Sequence, residues 1–297
     1  TKRKILVPVD FSIQSDLALE YARHLATRMD AMISCIYVIE KQGVLEHKLR
    51  REAENKLSER VNLILNKDEK VPFELIITSG ITHQKVLEKS IDLKVQIIII
   101  GRSNSSLKRT TRIGSNTNKI VSRSLVPVIV VNKQSIGKRN HLIFPLDLET
   151  PYSEKLISAM DVALLLGAFV SVIAVVDKEK SSLRPVYLSK LKEIERSFSE
   201  QNVVCDTHLI ENQTTISSEI LTYSARIEFG IILLMTHQEK KSNRPYIGMI
   251  ETEVLARTEV PVLFLNPRNT VRLSMYKSNQ YNLPAYPSGI PLEDQFI

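Results

Sequence analysis

Short apolar runs alternate with longer amphipathic segments along nearly the whole chain. In the first half the runs are Lys4–Val9, Met32–Ile39, Phe73–Thr78, Val95–Ile100 and Pro127–Val131. They are rich in Val and Ile and almost uninterrupted, the pattern of strands covered on both faces of a parallel sheet. Between them the apolar residues recur at helical spacing. Leu17, Ala18, Tyr21, Ala22, Leu25, Ala26 and Met29 make one stripe, and Leu45, Leu49, Ala53, Leu57, Val61 and Ile64 make a second. Val86, Leu87 and Ile91 mark a third helix; Thr117, Ile120 and Val121 mark a short fourth. Helices between successive parallel strands are right-handed crossovers. The pattern therefore predicts an α/β domain with an open five-stranded parallel sheet.

The second half repeats the order. Leu142–Leu146, Phe169–Val176, Val203–Ile210, Ile231–Met235 and Pro261–Leu265 read as strands, with helices near Ser153–Leu166, Leu183–Phe198, Thr215–Ile227 and Gly248–Arg257. Pro8–Val9–Asp10 matches Pro145–Leu146–Asp147, and Gly114 with Val126–Pro127–Val128 matches Gly248 with Val260–Pro261–Val262. Two matching anchors with one small length change indicate internal duplication. The expected organisation is a first domain over residues 1–133, a linker over 134–140, a second domain over 141–267 and a tail over 268–297. A polar linker this short holds the halves together as a pseudo-dimer. The tail gains Pro, Asn and Tyr and loses periodicity, as a disordered segment does; the rival is an arm that docks Tyr276, Tyr281, Tyr286 and Phe296 on another surface.

Composition narrows the class without naming it. No apolar stretch approaches the roughly 20 residues of a membrane helix. The opening TKRKILVPVD enters a strand almost at once, so no leader segment is read, and a cytoplasmic location is expected. Two cysteines, Cys35 and Cys205, sit far apart in apolar runs and read as buried thiols rather than a disulfide framework or zinc site. The net charge of +7 is uneven. Residues 1–133 carry 23 Lys+Arg against 14 Asp+Glu, whereas the remainder carries 17 against 19. A basic half suits a polyanion, a nucleic acid or a solvated surface.

Candidate chemistry gathers in IIIIGRSNSSLKRTTRIGSNTNKIVSRSLVPVIVV, residues 97–131. Gly101 and Asp10 fall at strand ends, where open parallel sheets bind ligands. Gly114-Ser115 opens a helix, whose first amides and dipole favour an anion. Six basic residues and no acidic one lie from Arg102 to Arg123, among them Lys108, Arg109 and Arg112. Arg and Lys pair with phosphate. No aromatic residue in this loop offers a stack to a base, so nucleic acid is the weaker reading. Asp10 is also placed to cap the next helix with Ser12, and Gly114 could be an ordinary turn glycine.

The spacing Gly101, Asn104, Gly114-Ser115, with ILVPVDFS at residues 5–12, resembles the ATP-binding branch of the universal stress protein family over both halves. The resemblance implies an adenine nucleotide, ATP or a relative with Mg2+, in the first domain. Asp10, beside Pro8 at the end of the opening strand, would accept from the adenine amino group, and Val38 would offer backbone contacts to the base. Gly101 would pass close to ribose or α-phosphate; Arg102 and Asn104 would line the phosphates; Gly114, Ser115 and Asn116 would donate to them. Asn104 departs from the family's glycine. It tolerates a left-handed backbone, but its side chain would crowd a phosphate.

The second copy departs further. Met235 and Gln238 replace glycines, Met249 replaces the hydroxyl residue, and Glu251 and Glu253 add negative charge. No nucleotide is expected there, and His237, the loop histidine by position, reads as structural. No GxGxxG follows the first strand, and neither a GxxxxGK[ST] loop nor a GxSxG elbow is present. The histidines do not cluster at metal spacing, and His24 reads as a surface residue. The chain thus reads as a stress-response binding module with at most very slow ATP hydrolysis. Expected partners are the nucleotide, a second tandem chain and an unidentified protein. The competing reading is a tandem scaffold that binds no nucleotide and acts through pairing and docking.

Overall fold

The computed structural model describes residues 2–40, 46–65, 71–102, 113–132, 140–228, 230–238 and 245–266. The first half runs β1 (Arg3–Pro8), α1 (Ile13–Met29), β2 (Ala31–Ile39), α2 (Glu46–Leu65), β3 (Phe73–Ser79), α3 (Thr82–Asp92), β4 (Ile97–Gly101), α4 (Ser115–Arg123) and β5 (Val128–Val131). The second runs β6 (Asn140–Pro145), α5 (Ser153–Leu166), β7 (Ala168–Asp177), a 3-10 segment (Lys178–Leu183), α6 (Arg184–Glu200), β8 (Cys205–Asn212), α7 (Ile216–Ser224), β9 (Gly230–Met235), β10 (His237–Gln238), β11 (Pro245–Tyr246), α8 (Met249–Arg257) and β12 (Val262–Leu265).

Local signals set the helix ends. Ser12 caps α1 by accepting from the Ser15 amide at 3.2 Å. Asp30 ends it in the left-handed region, φ 47°, with its N–H on the Ala26 carbonyl. Gly167, φ 56°, ends α5 in the same way and stands at the register position matching Asp30. The apolar stripes are imperfect guides. Leu49 and Ile91 were expected inside but are 37% and 51% exposed.

The sheet differs from the expectation of two separate ones. Ten strands form one sheet in the order β3-β2-β1-β4-β5-β12-β9-β6-β7-β8. Pairing is parallel within each half, and only the central β5–β12 pair is antiparallel. There Val262 faces Val130, Leu263 faces Ile129 and Phe264 faces Val128. Strands that would otherwise be exposed edges cover each other. A small antiparallel ladder, β10–β11, also sits apart from the main sheet, with His237 opposite Tyr246.

The core divides into one apolar cluster on each face of the sheet. Ile5, Val7, Leu19, Leu25, Leu57, Phe144, Leu166 and Phe198 belong to the face under α1, α2, α5 and α6. Leu6, Ile36, Val86, Ile98, Ile120, Ile232, Val254 and Phe264 belong to the other, under α3, α4, α7 and α8. Both clusters continue across the β5–β12 seam. Cys35 is buried, and burial pushes its thiol well above the ordinary range; Cys205, expected buried, is only half-buried. His24, expected at the surface, is half-buried against Arg23. Asn140, assigned to the linker, is instead the first residue of β6, its side chain donating to the Leu166 carbonyl at 2.9 Å. Most of the linker and all of the tail from residue 268, with its aromatic residues, lie outside the described residues.

Candidate functional site

In the first half β1 lies between β2 and β4. The helix after β1 packs on one face and α4 on the other, so a crevice opens at the carboxyl ends where the strand order reverses. A cavity of about 420 Å³ lies there, within the roughly 300–1,000 Å³ of small-molecule sites. Pro8, Val9, Ile36, Val38 and Ile100 give it an apolar floor. The turn into α1 supplies Asp10, Ser12, Gln14 and Ser15; α4 supplies Gly114, Ser115, Asn116, Thr117 and Ile120 from the facing side. Thr82, in the first turn of α3, closes one end.

The α1 side is built on a strained turn. Asp10 Oδ1 accepts from the Ser12 amide at 3.0 Å and from the Ser12 hydroxyl. Between them Phe11 holds φ 64°, a left-handed conformation that residues other than glycine seldom adopt. Its ring packs on Tyr37, centroids 4.8 Å apart, with Lys56 Nζ 4.3 Å from the ring centre. These contacts hold the turn in place. Asp10 therefore has a local structural job, and it also stands exposed at the cavity lip.

The α4 side is built on backbone. Gly114 is the N-cap, with no side-chain cap; its carbonyl accepts from the Asn118 amide at 2.9 Å. The amides of the first turn have no partner within a helix by its geometry. Gly114 has φ −55° and ψ 142°, which any residue adopts, so a demand for unusual backbone does not explain this glycine. Gly101 has a packing reason as well. A Cβ there would collide with the Gln14 carbonyl, so this glycine lets α1 lie against the end of β4 while its backbone also lines the cavity.

One of the expected cationic residues faces elsewhere. Arg102 turns away from the cavity. Its Nη1 donates to the carbonyls of Leu255 and Ala256 at 2.7 and 2.9 Å, at the end of α8. Those carbonyls are orphans of a helix terminus and outcompete solvent for a nearby guanidinium. Asn104, Lys108, Arg109 and Arg112 lie outside the described residues. Among the described lining residues Asp10 is the charged one. Pro8, Asp10, Val38, Gly101, Gly114, Ser115 and Asn116 all line this one cavity. Ser12, Thr82 and Thr117 were missed as lining residues, although Ser12 and Thr82 are helix-start hydroxyls in the sequence.

The matching place in the second half is closed by its own side chain. Gly248 caps α8, and a Cβ there would collide with Glu251 Oε2 and come within 2.9 Å of His237 Cδ2. Glu251 Oε1 is 2.9 Å from His237 Nε2, and the His237 ring lies 5.6 Å from that of Tyr246. A carboxylate thus folds back over the helix start, where the first half has Thr117. Asp147 repeats the Asp10 turn by accepting from the Glu149 amide at 2.8 Å. Glu149 is bonded to Lys180 at 2.6 Å and to Tyr187 at 2.8 Å. Among the described residues no group of three His, Cys, Asp or Glu is placed to hold a metal, and no helix is long and apolar enough to cross a membrane.

Residues 2–132 match the model of the Universal stress protein family. Universal stress protein MJ0577 of Methanocaldococcus jannaschii is 26% identical over 160 residues, 45% of this chain and 96% of that protein. A universal stress protein from Archaeoglobus fulgidus DSM 4304 superposes with a TM-score of 0.69 at 17% identity, over 89% of this chain and 98% of its own. A functionally unknown protein, PA1789 from Pseudomonas aeruginosa PAO1, gives 0.63 at 17% identity, over 93% and 97%. These two structural likenesses concern the fold.

Proposed function

From the premise that residues 2–132 are a domain of the universal stress protein family, we propose that the chain is a stress-response binding module taking an adenine nucleotide in its first half. One observation carries this reading. The cavity sets an apolar floor and Asp10 on one side against the uncapped amides of α4 on the other. A base needs a flat apolar bed and a polar edge contact; phosphates need N–H donors and a positive dipole end. Asp10 would face the base and the amides of Ser115–Thr117 the phosphates, ATP with Mg2+ being the probe of choice. We read a binding role from the backbone donors and the apolar floor of this lining.

The second half is, on this reading, a packing partner. The β5–β12 register supports it. With the halves aligned at the VPV strands, Val128 corresponds to Val262 and Val130 to Phe264, and each pairs with the other's counterpart about Ile129 and Leu263. That reciprocity is what a two-fold interface produces. We therefore read residues 1–133 and 141–267 as duplicated domains forming a built-in pair. Glu251, over the start of α8, confines nucleotide to the first half. Arg102, spent on the seam, favours the competing scaffold reading, in which neither half binds nucleotide.

Titration calorimetry of Mg-ATP into the full chain tests the two. The nucleotide reading expects saturable binding at one site per chain, abolished by Asp10→Ala and by Gly114→Val. Absence of heat at millimolar ATP, in protein with an intact melting transition, would leave the scaffold. Sedimentation of the full chain reads whether two tandem chains pair again.

A further inference from the structure

The cavity lining is laid out in the order of the strands. Thr82 follows β3, Tyr37 and Val38 belong to β2, Asp10 follows β1 and Gly101 ends β4. In the sheet these strands stand in the order β3-β2-β1-β4. Thr82 therefore stands beside the apolar residues of β2, at the end of the cavity away from Gly101. The turn after β3 brings it there. The Gly80 amide donates to the Ile39 carbonyl at 3.0 Å, and Gly80 holds φ 137°, a conformation open to glycine.

Hydroxyl protons on this side are already committed. Thr82 Oγ1 lies 2.6 Å from Glu40 Oε1. A carboxylate only accepts, so the single hydroxyl proton of Thr82 goes to Glu40, and Thr82 offers the cavity lone pairs alone. The turn into α1 repeats this. The Ser12 hydroxyl donates to Asp10, and the Ser15 hydroxyl donates to the Ser12 carbonyl at 2.9 Å. These hydroxyls and the Asp10 carboxylate have no proton to give a ligand, whereas the start of α4 presents amide donors. The second half lacks the Thr82 arrangement. Counted from the pairs Pro8–Ile36 and Pro145–Ile173, Asp177 matches Glu40. Asp177 accepts from Asn212 Nδ2 at 3.3 Å, and the first residue of α7 is Ile216, 40% exposed.

We infer that Thr82, its proton held by Glu40, is a specificity-determining residue that accepts a hydrogen bond from the exocyclic amino group of the base. The inference rests on the nucleotide reading and narrows it to a base that carries an N–H donor at the β2 end of the cavity. An acceptor backed by a carboxylate repels phosphate oxygens, so the same pair sets the direction in which the ligand lies. A site built to bond a donor rejects the analogue without it, because the site's own polar group is then left unpaired.

Calorimetry on the full chain tests this with wild type, Thr82→Ser, Thr82→Val and Glu40→Ala. Each is titrated with Mg-ATP, with purine riboside triphosphate, which lacks only the exocyclic amino group, and with 2′,3′-dideoxy ATP. The coupling between residue and ligand group is read as in a double-mutant cycle. Loss of one hydrogen bond predicts about tenfold weaker ATP binding for T82V, with purine riboside triphosphate unaffected. T82S keeps the wild-type preference for ATP. E40A frees the hydroxyl proton and lowers that preference; Glu40 is exposed, so this variant reports even where T82V fails to fold. A preference in T82V equal to that of wild type overturns the inference while leaving nucleotide binding intact, as does an unchanged E40A should T82V not fold. A T82V effect that vanishes with dideoxy ATP assigns the acceptor to the sugar and also overturns it. No ATP binding by folded wild type overturns the nucleotide reading first.

Discussion

Gly101→Ala offers the sharpest test of how the cavity is built. Gly101 ends β4, and an added Cβ would collide with the Gln14 carbonyl and lie 2.8 Å from Gln14 Cβ. The obstacle is backbone in the first turn of α1. That helix is capped by Ser12 and anchored by the fully buried Ala18, Leu19 and Ala22, so it cannot retreat without lifting off the sheet. Overpacking costs about 1–3 kcal/mol, and a backbone obstacle places this substitution at about 3 kcal/mol. For a chain of 297 residues unfolding together, that lowers Tm by roughly 5 °C. Gly230→Ala is the control: its nearest obstacle is Ile143 Cδ1 at 2.9 Å, the free end of a side chain that can turn, so the loss is smaller. Thermal unfolding by circular dichroism without nucleotide reads both. If G101A melts with the wild type, α1 does not press on Gly101 and the reason for that glycine must be sought in a ligand.

Further outcomes follow from other contacts. Arg102→Met leaves the Leu255 and Ala256 carbonyls without their donor and costs about 1–3 kcal/mol in chemical denaturation, with nucleotide affinity unchanged. Glu251→Ala removes the carboxylate over the start of α8 and costs about 1–2 kcal/mol by the same assay. Burial pushes the Glu74 carboxyl up, but hydrogen bonds from Ser34 and Lys4 outweigh it and hold the group below its ordinary 4.5. Its stabilising contribution is complete above that value and is lost as pH falls through the lower folded value. Glu74→Gln therefore flattens the acid limb of the stability curve, and acid titration followed by circular dichroism checks it.

The strands and helices were legible because their patterns are local: period-two-free apolar runs for buried strands, 3.6-residue stripes for helices. The meeting of β5 with β12 was not, since both are short VPV-type strands whose edge partner is set by tertiary packing. The β10–β11 ladder escaped notice for a similar reason, being two residues on each side with little apolar content. At the site, Asp10, Gly101 and Gly114 could be placed from strand ends and spacing. The direction of the Arg102 side chain could not, because its acceptors lie more than 150 residues away along the chain.

Backbone amide shifts on adding Mg-ATP to nitrogen-15-labelled full chain address the nucleotide proposal most directly. Shifts concentrated at Ser115, Asn116 and Thr117, with Met249, Ile250 and Glu251 unmoved, are the expected pattern. Equal movement at both helix starts, or none at either in folded protein, would contradict it.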